Sequence, residues 1–130
     1  MSGDPAPAVE FFPLPAGVRL PFSEAVRVGS MLYLSGQMGT DGSGKLVSGG
    51  IEAETRQILA NVRAVLERHG SSMDRVVRCL VMLADMQDWP AMNAVYLEHF
   101  KPPLPARSAF GASGLALGGR IELECIATIG

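Results

Sequence analysis

Two acids near the C-terminus, Glu122 and Glu124, stand two residues apart in a run that reads as a strand. Side chains alternate faces along a strand, so both would project from one side, roughly 6–7 Å apart. Ile121, Leu123, Cys125 and Ala127 would form an apolar face on the other. A carboxylate sheltered from water needs a partner or a raised pKa, and a raised pKa suits it to take a proton from water near neutrality. One of the two is a candidate general base, although a half-exposed strand with solvated acids satisfies the same pattern. Arg107, in Pro105-Ala106-Arg107-Ser108, carries a planar fork of donors that matches a carboxylate bidentately, as a lysine would not. A structural ion pair is the alternative use of such an arginine. Ser35-Gly36-Gln37 closes another strand-like run, where a glycine lets backbone amides come close to a ligand or simply ends the strand in a turn.

Other chemistries find no support. Ser108 has no neighbouring histidine, and His69 and His99 fall at the ends of predicted helices, where the helix dipole accounts for them. No His, Cys, Asp or Glu cluster has metal-ligand spacing, and no glycine-rich phosphate loop precedes a helix. Cys79 and Cys125 lie in apolar runs and read as small buried hydrophobes suited to a reducing compartment. A net charge of -2 and the lack of a basic stripe argue against nucleic acid as a partner. No apolar run is long enough to span a membrane, and no N-terminal leader pattern is present, which points to the cytoplasm.

These residues need elements to hold them. Ala25 to Val28 and Met31 to Leu34, around Gly29-Ser30, predict a hairpin. Thr40 to Gly50 has turn chemistry and predicts a surface loop. Ile51, Thr55, Ile58, Leu59, Val62, Val65 and Leu66 recur at helical spacing and predict an amphipathic helix over residues 51–69, stopped by Gly70. Val76 to Leu83 is nearly all apolar and predicts a central strand covered on both faces. A second helix, capped by Asp88, runs to the Pro102-Pro103 stop. Ala106 to Phe110 and Arg120 to Thr128 complete a ββαβαββ order. The class is α+β: a mixed sheet with two helices on one face, whose other face needs a partner. With 130 residues the chain fits one domain, residues 21–130, preceded by an extended proline-rich arm over residues 1–20. Its 48% hydrophobic and 18% charged content favours an oligomer.

In order and spacing, six segments resemble the RidA/YjgF family of reactive-intermediate deaminases, also labelled endoribonuclease L-PSP. They are Pro21-Phe22-Ser23-Glu24-Ala25, Leu34-Ser35-Gly36-Gln37, Gln57-Ile58-Leu59-Ala60-Asn61-Val62, Asn93-Ala94-Val95-Tyr96, Pro105-Ala106-Arg107-Ser108 and Ile121-Glu122-Leu123-Glu124-Cys125-Ile126-Ala127. The resemblance covers about residues 21–128. It implies a chorismate-mutase-like fold and a homotrimer whose sheets close a central barrel, with a cleft between each pair of neighbours. It further implies hydrolysis of small enamines and imines of the 2-aminoacrylate type to 2-keto acids and ammonia, with no metal or organic cofactor. Carried over by position, Arg107 binds the substrate carboxylate, Glu122 rather than Glu124 activates water, and Ser35, Gly36, Phe22, Asn93 and the backbone at Ala109 line the cleft. Phe22 stands where a tyrosine is usual in the family and Ala109 where a cysteine is frequent. The missing phenol makes the cleft more apolar, which favours bulkier imino acids or weaker turnover. Two other functions compete: a trimer that binds small carboxylates without turnover, kept open by Phe22, and an endoribonuclease, which the charge balance opposes.

Overall fold

The alternating runs become strands and the helical stripe becomes a helix. The computed structural model describes residue 3 and residues 5–130, so the arm's residues 1, 2 and 4 lie outside it. Seven strands and two helices follow in the order β1 (Val9–Phe12), β2 (Ala25–Val28), β3 (Met31–Leu34), β4 (Gln37–Met38), α1 (Gly50–Arg68), β5 (Val76–Leu83), α2 (Trp89–His99), β6 (Ala106–Gly111) and β7 (Ile121–Thr128). The strands form one mixed sheet in the spatial order β1-β2-β3-β7-β5-β6, with short β4 also paired to β7. Among the described residues only β5 and β6 run parallel; the other pairs are antiparallel.

Two of these strands were not expected. The arm contributes β1, which pairs with β2 from Val9↔Val28 to Phe12↔Ala25. Pro7 and Pro13 bracket it, and residues that cannot donate to a ladder confine a strand to a short stretch at a sheet edge. The second is β4, just two residues long and too short to leave a periodic signal.

On α1, Thr55, Ile58, Leu59, Val62, Val65 and Leu66 are buried as their spacing predicts, packed over Ile121, Leu123, Cys125 and Ala127 of β7. From α2, Met92, Tyr96 and the adjoining Phe100 complete this core with Cys79, Val81 and Leu83 of β5. Each fully buried aliphatic side chain contributes about 1.5–3 kcal/mol, so this single helix–sheet interface carries the fold. Glu54 also lies on the buried side of α1, against its charge. Its carboxylate accepts the Arg120 backbone N–H at 2.8 Å, which fixes the loop leading into β7.

Three local expectations are corrected. Asp88 makes no cap bond to α2; it pairs with Arg120 instead (3.0 and 3.3 Å), while Asp85 accepts from the Gln87 backbone in the turn before the helix. The helix covers only one face of β5, since Val76, Cys79, Val81 and Leu83 are buried but Val77 and Arg78 are exposed. His69 does more than complement a helix end: it meets Glu24 at 2.7 Å and stacks on Phe12 with ring centroids 4.0 Å apart. Cys79 and Cys125 are buried free thiols as read, and the β5–β7 register sets them opposite each other, sulfur to sulfur at 3.4 Å.

The face of the sheet away from the helices is bare. Cross-strand pairing places Glu122 beside Met82, Met82 beside Phe110, Glu124 beside Leu80 and Tyr33 beside Ile126. Tyr33 and Phe110 remain 42% and 46% exposed there.

Candidate active site

Arg107 sits on β6, the last strand of the sheet, opposite Cys79 of β5 and therefore on the helix-covered side. Its guanidinium carbon lies 4.8 Å from the Tyr96 ring centre and 5.1 Å from that of Trp89, and one of its N–H groups is 3.9 Å from the Met92 sulfur. These three side chains come from one stripe of α2, at positions 89, 92 and 96. No carboxylate pairs with Arg107 among the described residues. The rings offer the cation their negative faces and restrict its rotamers, yet leave its donors unused. Beside it opens a cavity of about 270 Å³ lined by Asn93, Tyr96, Leu97, Leu104, Pro105 and Arg107. The Asn93 side-chain oxygen is buried there without a hydrogen-bond partner, and so is the Tyr96 hydroxyl. Burial pushes the Tyr96 phenol well above its ordinary pKa, so it stays neutral beside the arginine. Ala109, two residues along β6, is half-buried on the same side. The cleft thus offers an unpaired cation and apolar walls, which suits a small carboxylate with a hydrocarbon tail. A larger cavity, about 350 Å³, lies across the 102–105 turn and is lined by none of the candidate site residues named from the sequence.

Glu122 occupies a different place. It projects from the bare face of β7 with Glu124, as the two-residue spacing requires, and is half-buried while Glu124 is exposed. Burial, with a smaller contribution from the Glu124 charge, raises the Glu122 pKa. The shelter comes from Gly36. A Cβ at that position would overlap the Glu122 carboxylate oxygen and stand 3.1 Å from its carboxyl carbon. Ser35 holds this turn in place: its hydroxyl donates to the Ser23 carbonyl at 2.6 Å and its backbone N–H to the Glu24 carbonyl at 3.1 Å. Phe22, one residue before Ser23, leaves its ring 48% exposed.

Gly36→Ala is therefore expected to move or desolvate the Glu122 carboxylate without unfolding the chain, since the backbone at Gly36 is not left-handed. Turnover should fall by roughly tenfold or more, because an ångström-scale displacement of a reacting group is costly. Thermal unfolding and steady-state kinetics on the same preparation check this.

The candidate residues form two groups. Arg107, Asn93 and Ala109 belong to the edge cleft, whereas Glu122, Ser35, Gly36 and Phe22 belong to the bare face and its rim. Arg107 and Glu122 point to opposite sides of the sheet, so one protomer does not bring them together. Trp89, Met92 and Tyr96 escaped notice as site residues, although their three- and four-residue steps on α2 were visible. An apolar stripe on a helix reads as core until a cation is found lying on it. Among the described residues no group of three His, Cys, Asp or Glu side chains is placed to hold a metal ion, and no helix is long and apolar enough to cross a membrane.

A mixed sheet backed by two helices, with an arginine cleft at its edge and a sheltered acid on its open face, defines an α+β protein built to handle a small molecule. The family model described as endoribonuclease L-PSP matches residues 15–129, and the chain belongs to that family, the RidA/YjgF proteins. It is 42% identical over 111 residues to the human 2-iminobutanoate/2-iminopropanoate deaminase, covering 85% of this chain and 81% of that one. Identity to the goat protein of the same name is 43% over the same length and with the same coverage. Among solved structures, RidA from an Antarctic Psychrobacter superposes with a TM-score of 0.82 at 33% identity, covering 97% of this chain and 100% of the other. The Rid-family protein YyfA of Yersinia pestis gives a TM-score of 0.85 at 32% identity, with 94% and 100% covered.

Proposed function

We propose that this protein is an imine and enamine deaminase that converts short carboxylate-bearing imines of the 2-aminoacrylate type to 2-keto acids and ammonia. The observation that carries the reading is the half-buried Arg107, held between Trp89 and Tyr96 with no acid to neutralise it. Relatives bearing imine deaminase names support the reaction type.

The opposed directions of Arg107 and Glu122 require a site built from two protomers. In our reading three copies pack their bare faces around a common axis. The edge cleft of one, with Arg107, Asn93 and the backbone at Ala109, then meets Glu122, Ser35, Gly36 and Phe22 of the next. Burying the exposed Tyr33 and Phe110 favours such an assembly. The enamine first tautomerises to the imine. Arg107 binds the carboxylate and orients the neighbouring C=N carbon, a positioning effect worth several kcal/mol. Glu122 takes a proton from water as its oxygen bonds to that carbon, and returns it to the nitrogen. The hydroxyl proton of the resulting carbinolamine then passes by way of Glu122 to the amino nitrogen, the C–N bond breaks, ammonia leaves, and the carbonyl of the keto acid forms. Each step uses side chains contributed by two copies of this chain, and no cofactor is assigned. The two buried free thiols suit a reducing compartment, and we assign the protein to the cytoplasm.

Subunit mixing tests the composite site. Arg107→Ala and Glu122→Gln should each release almost no ammonia from freshly generated imine. Refolded together, they should regain a substantial part of the activity, because some interfaces then pair an intact Arg107 with an intact Glu122. No recovery in mixed oligomers would remove the composite arrangement. Phe22, lacking a phenol, favours a second reading as a carboxylate-binding trimer without turnover. Keto-acid binding by a wild-type protein that releases no ammonia would establish that alternative.

A further inference from the structure

Outside the two groups, the most connected charged cluster among the described residues joins the arm, the end of α1 and the rim of the bare face. Its centre is Glu24, whose side chain is only 7% exposed. The carboxylate accepts two N–H groups of Arg68, at 2.7 and 3.3 Å, and lies 2.7 Å from Nε2 of His69. Burial works to raise this carboxyl, but the hydrogen bonds and charges of Arg68 and His69 together hold it below the ordinary glutamate value. The main chain of the same residue reaches two ways: its N–H donates to the Phe12 carbonyl at 2.8 Å, and its carbonyl accepts from Ser35 at 3.1 Å. Phe12 closes the cluster by stacking on His69 at an interplanar angle of 20°.

None of these groups touches the edge cleft, and the reaction proposed above does not use them. Burying the Glu24 carboxylate, even against a half-exposed arginine, is a costly way to join three segments when apolar side chains would serve. Its position suggests what the charge achieves. Residues 22–24 lie between the cluster and the Ser35-Gly36 turn, and that turn shelters the Glu122 carboxylate.

We infer that Glu24 is a positioning residue: clamped by Arg68 and His69, it fixes the 22–24 strip against Ser35-Gly36 and so holds Glu122 in its sheltered position. This rests on the deaminase reading for its kinetic consequence and on geometry alone for its effect on Glu122. The charged groups on the face around Glu122 are Glu124 on its own strand and Arg78 on β5, whose guanidinium is turned to the Ser108 hydroxyl at 3.2 Å. Neither belongs to the Glu24 cluster, so a change in Glu122 titration on altering Glu24 must pass through the turn.

The test compares Glu24→Ala, Glu24→Gln and His69→Ala with the wild type in two measurements. In kinetics, Glu24→Ala should lower kcat about tenfold while KM changes less than about threefold, and the acid limb of the kcat–pH profile should move to lower pH as water reaches Glu122. Glu24→Gln keeps an acceptor for Arg68 and should restore most of the lost kcat. A kcat within about twofold of wild type and an unmoved acid limb in Glu24→Ala would overturn the proposal. Should Glu24→Ala not fold, His69→Ala removes one of the two clamps, and an unchanged acid limb in that folded variant would overturn it equally. The second measurement is a carboxyl-carbon NMR titration of Glu122, which needs no turnover. A lower Glu122 midpoint in Glu24→Ala or His69→Ala supports the positioning role even in a protein that releases no ammonia. An unchanged midpoint in a folded variant overturns it whether or not the deaminase reading stands.

Discussion

Replacing Arg107 by alanine is expected to lower kcat/KM on a small imino acid by roughly a thousandfold, with little loss of stability. Charge-assisted bidentate hydrogen bonds to a desolvated carboxylate are worth about 2–5 kcal/mol on truncation, and about 1.4 kcal/mol corresponds to a factor of ten. The fold should tolerate the change because no acid depends on Arg107 among the described residues, so no buried anion is left unpaired. What is lost in the free protein is its contact with Trp89 and Tyr96, at about 0.5–1 kcal/mol for such cation–ring pairs. Arg107→Lys should recover only part of the activity, since an ammonium cannot present two parallel N–H groups. Steady-state kinetics beside thermal unfolding decide the matter. Equal damage to both would make Arg107 a structural residue and end its role as the carboxylate clamp.

Glu122→Gln should act on the other half of the reaction. A correctly placed general base contributes about a hundred- to ten-thousandfold, so kcat should drop into that range while KM, set by the arginine cleft, changes little. The wild-type profile carries the sign. Glu122 must be ionised to accept a proton, and burial raises its pKa. Activity should therefore fall as the pH drops through a value above the ordinary glutamate pKa, and this limb should vanish in Glu122→Gln. Stability should move the opposite way. A carboxyl whose pKa is raised on folding holds its proton more tightly in the native state, so its stabilising contribution is complete below the unfolded pKa and is lost as the pH rises through the folded one. At neutral pH the neutral glutamine relieves that cost, and the variant should unfold slightly later than the wild type. A catalytic group held in an unfavourable protonation state commonly trades stability for activity in this way. An unchanged kcat in Glu122→Gln would transfer the role of base elsewhere.

The two experiments bear on different walls of one proposed cleft, which gives subunit mixing its force. Either variant alone is explained by many kinds of damage. Recovery on mixing requires that the intact arginine and the intact acid belong to different chains. By the same logic a Glu24 variant, whose cluster lies in the same protomer as Glu122, should be complemented by an Arg107 variant but not by Glu122→Gln.

What the sequence determined by itself was local and periodic. The three- and four-residue steps from Thr55 to Leu66 defined the buried stripe of α1 because a helix turns about 100° per residue. The two-residue step of Glu122 and Glu124 put both acids on the face opposite Leu123 and Cys125 because strand side chains alternate. Resemblance in six ordered segments named the family before any coordinates. Tertiary structure decided whatever depends on distant residues meeting. Nothing in the spacing of residues 89, 92 and 96 foretold that they would cradle Arg107, since an apolar helical stripe and a cation's bed look alike in one dimension. The edge strand β1 was hidden by its flanking prolines, and Asp88 found Arg120, 32 residues away, in place of a helix cap. Most consequentially, the β5–β6 and β5–β7 registers set Arg107 and Glu122 on opposite sides of the sheet. Register is a property of paired strands and of no single one, so only the folded chain could show that one protomer does not bring the two candidate residues together.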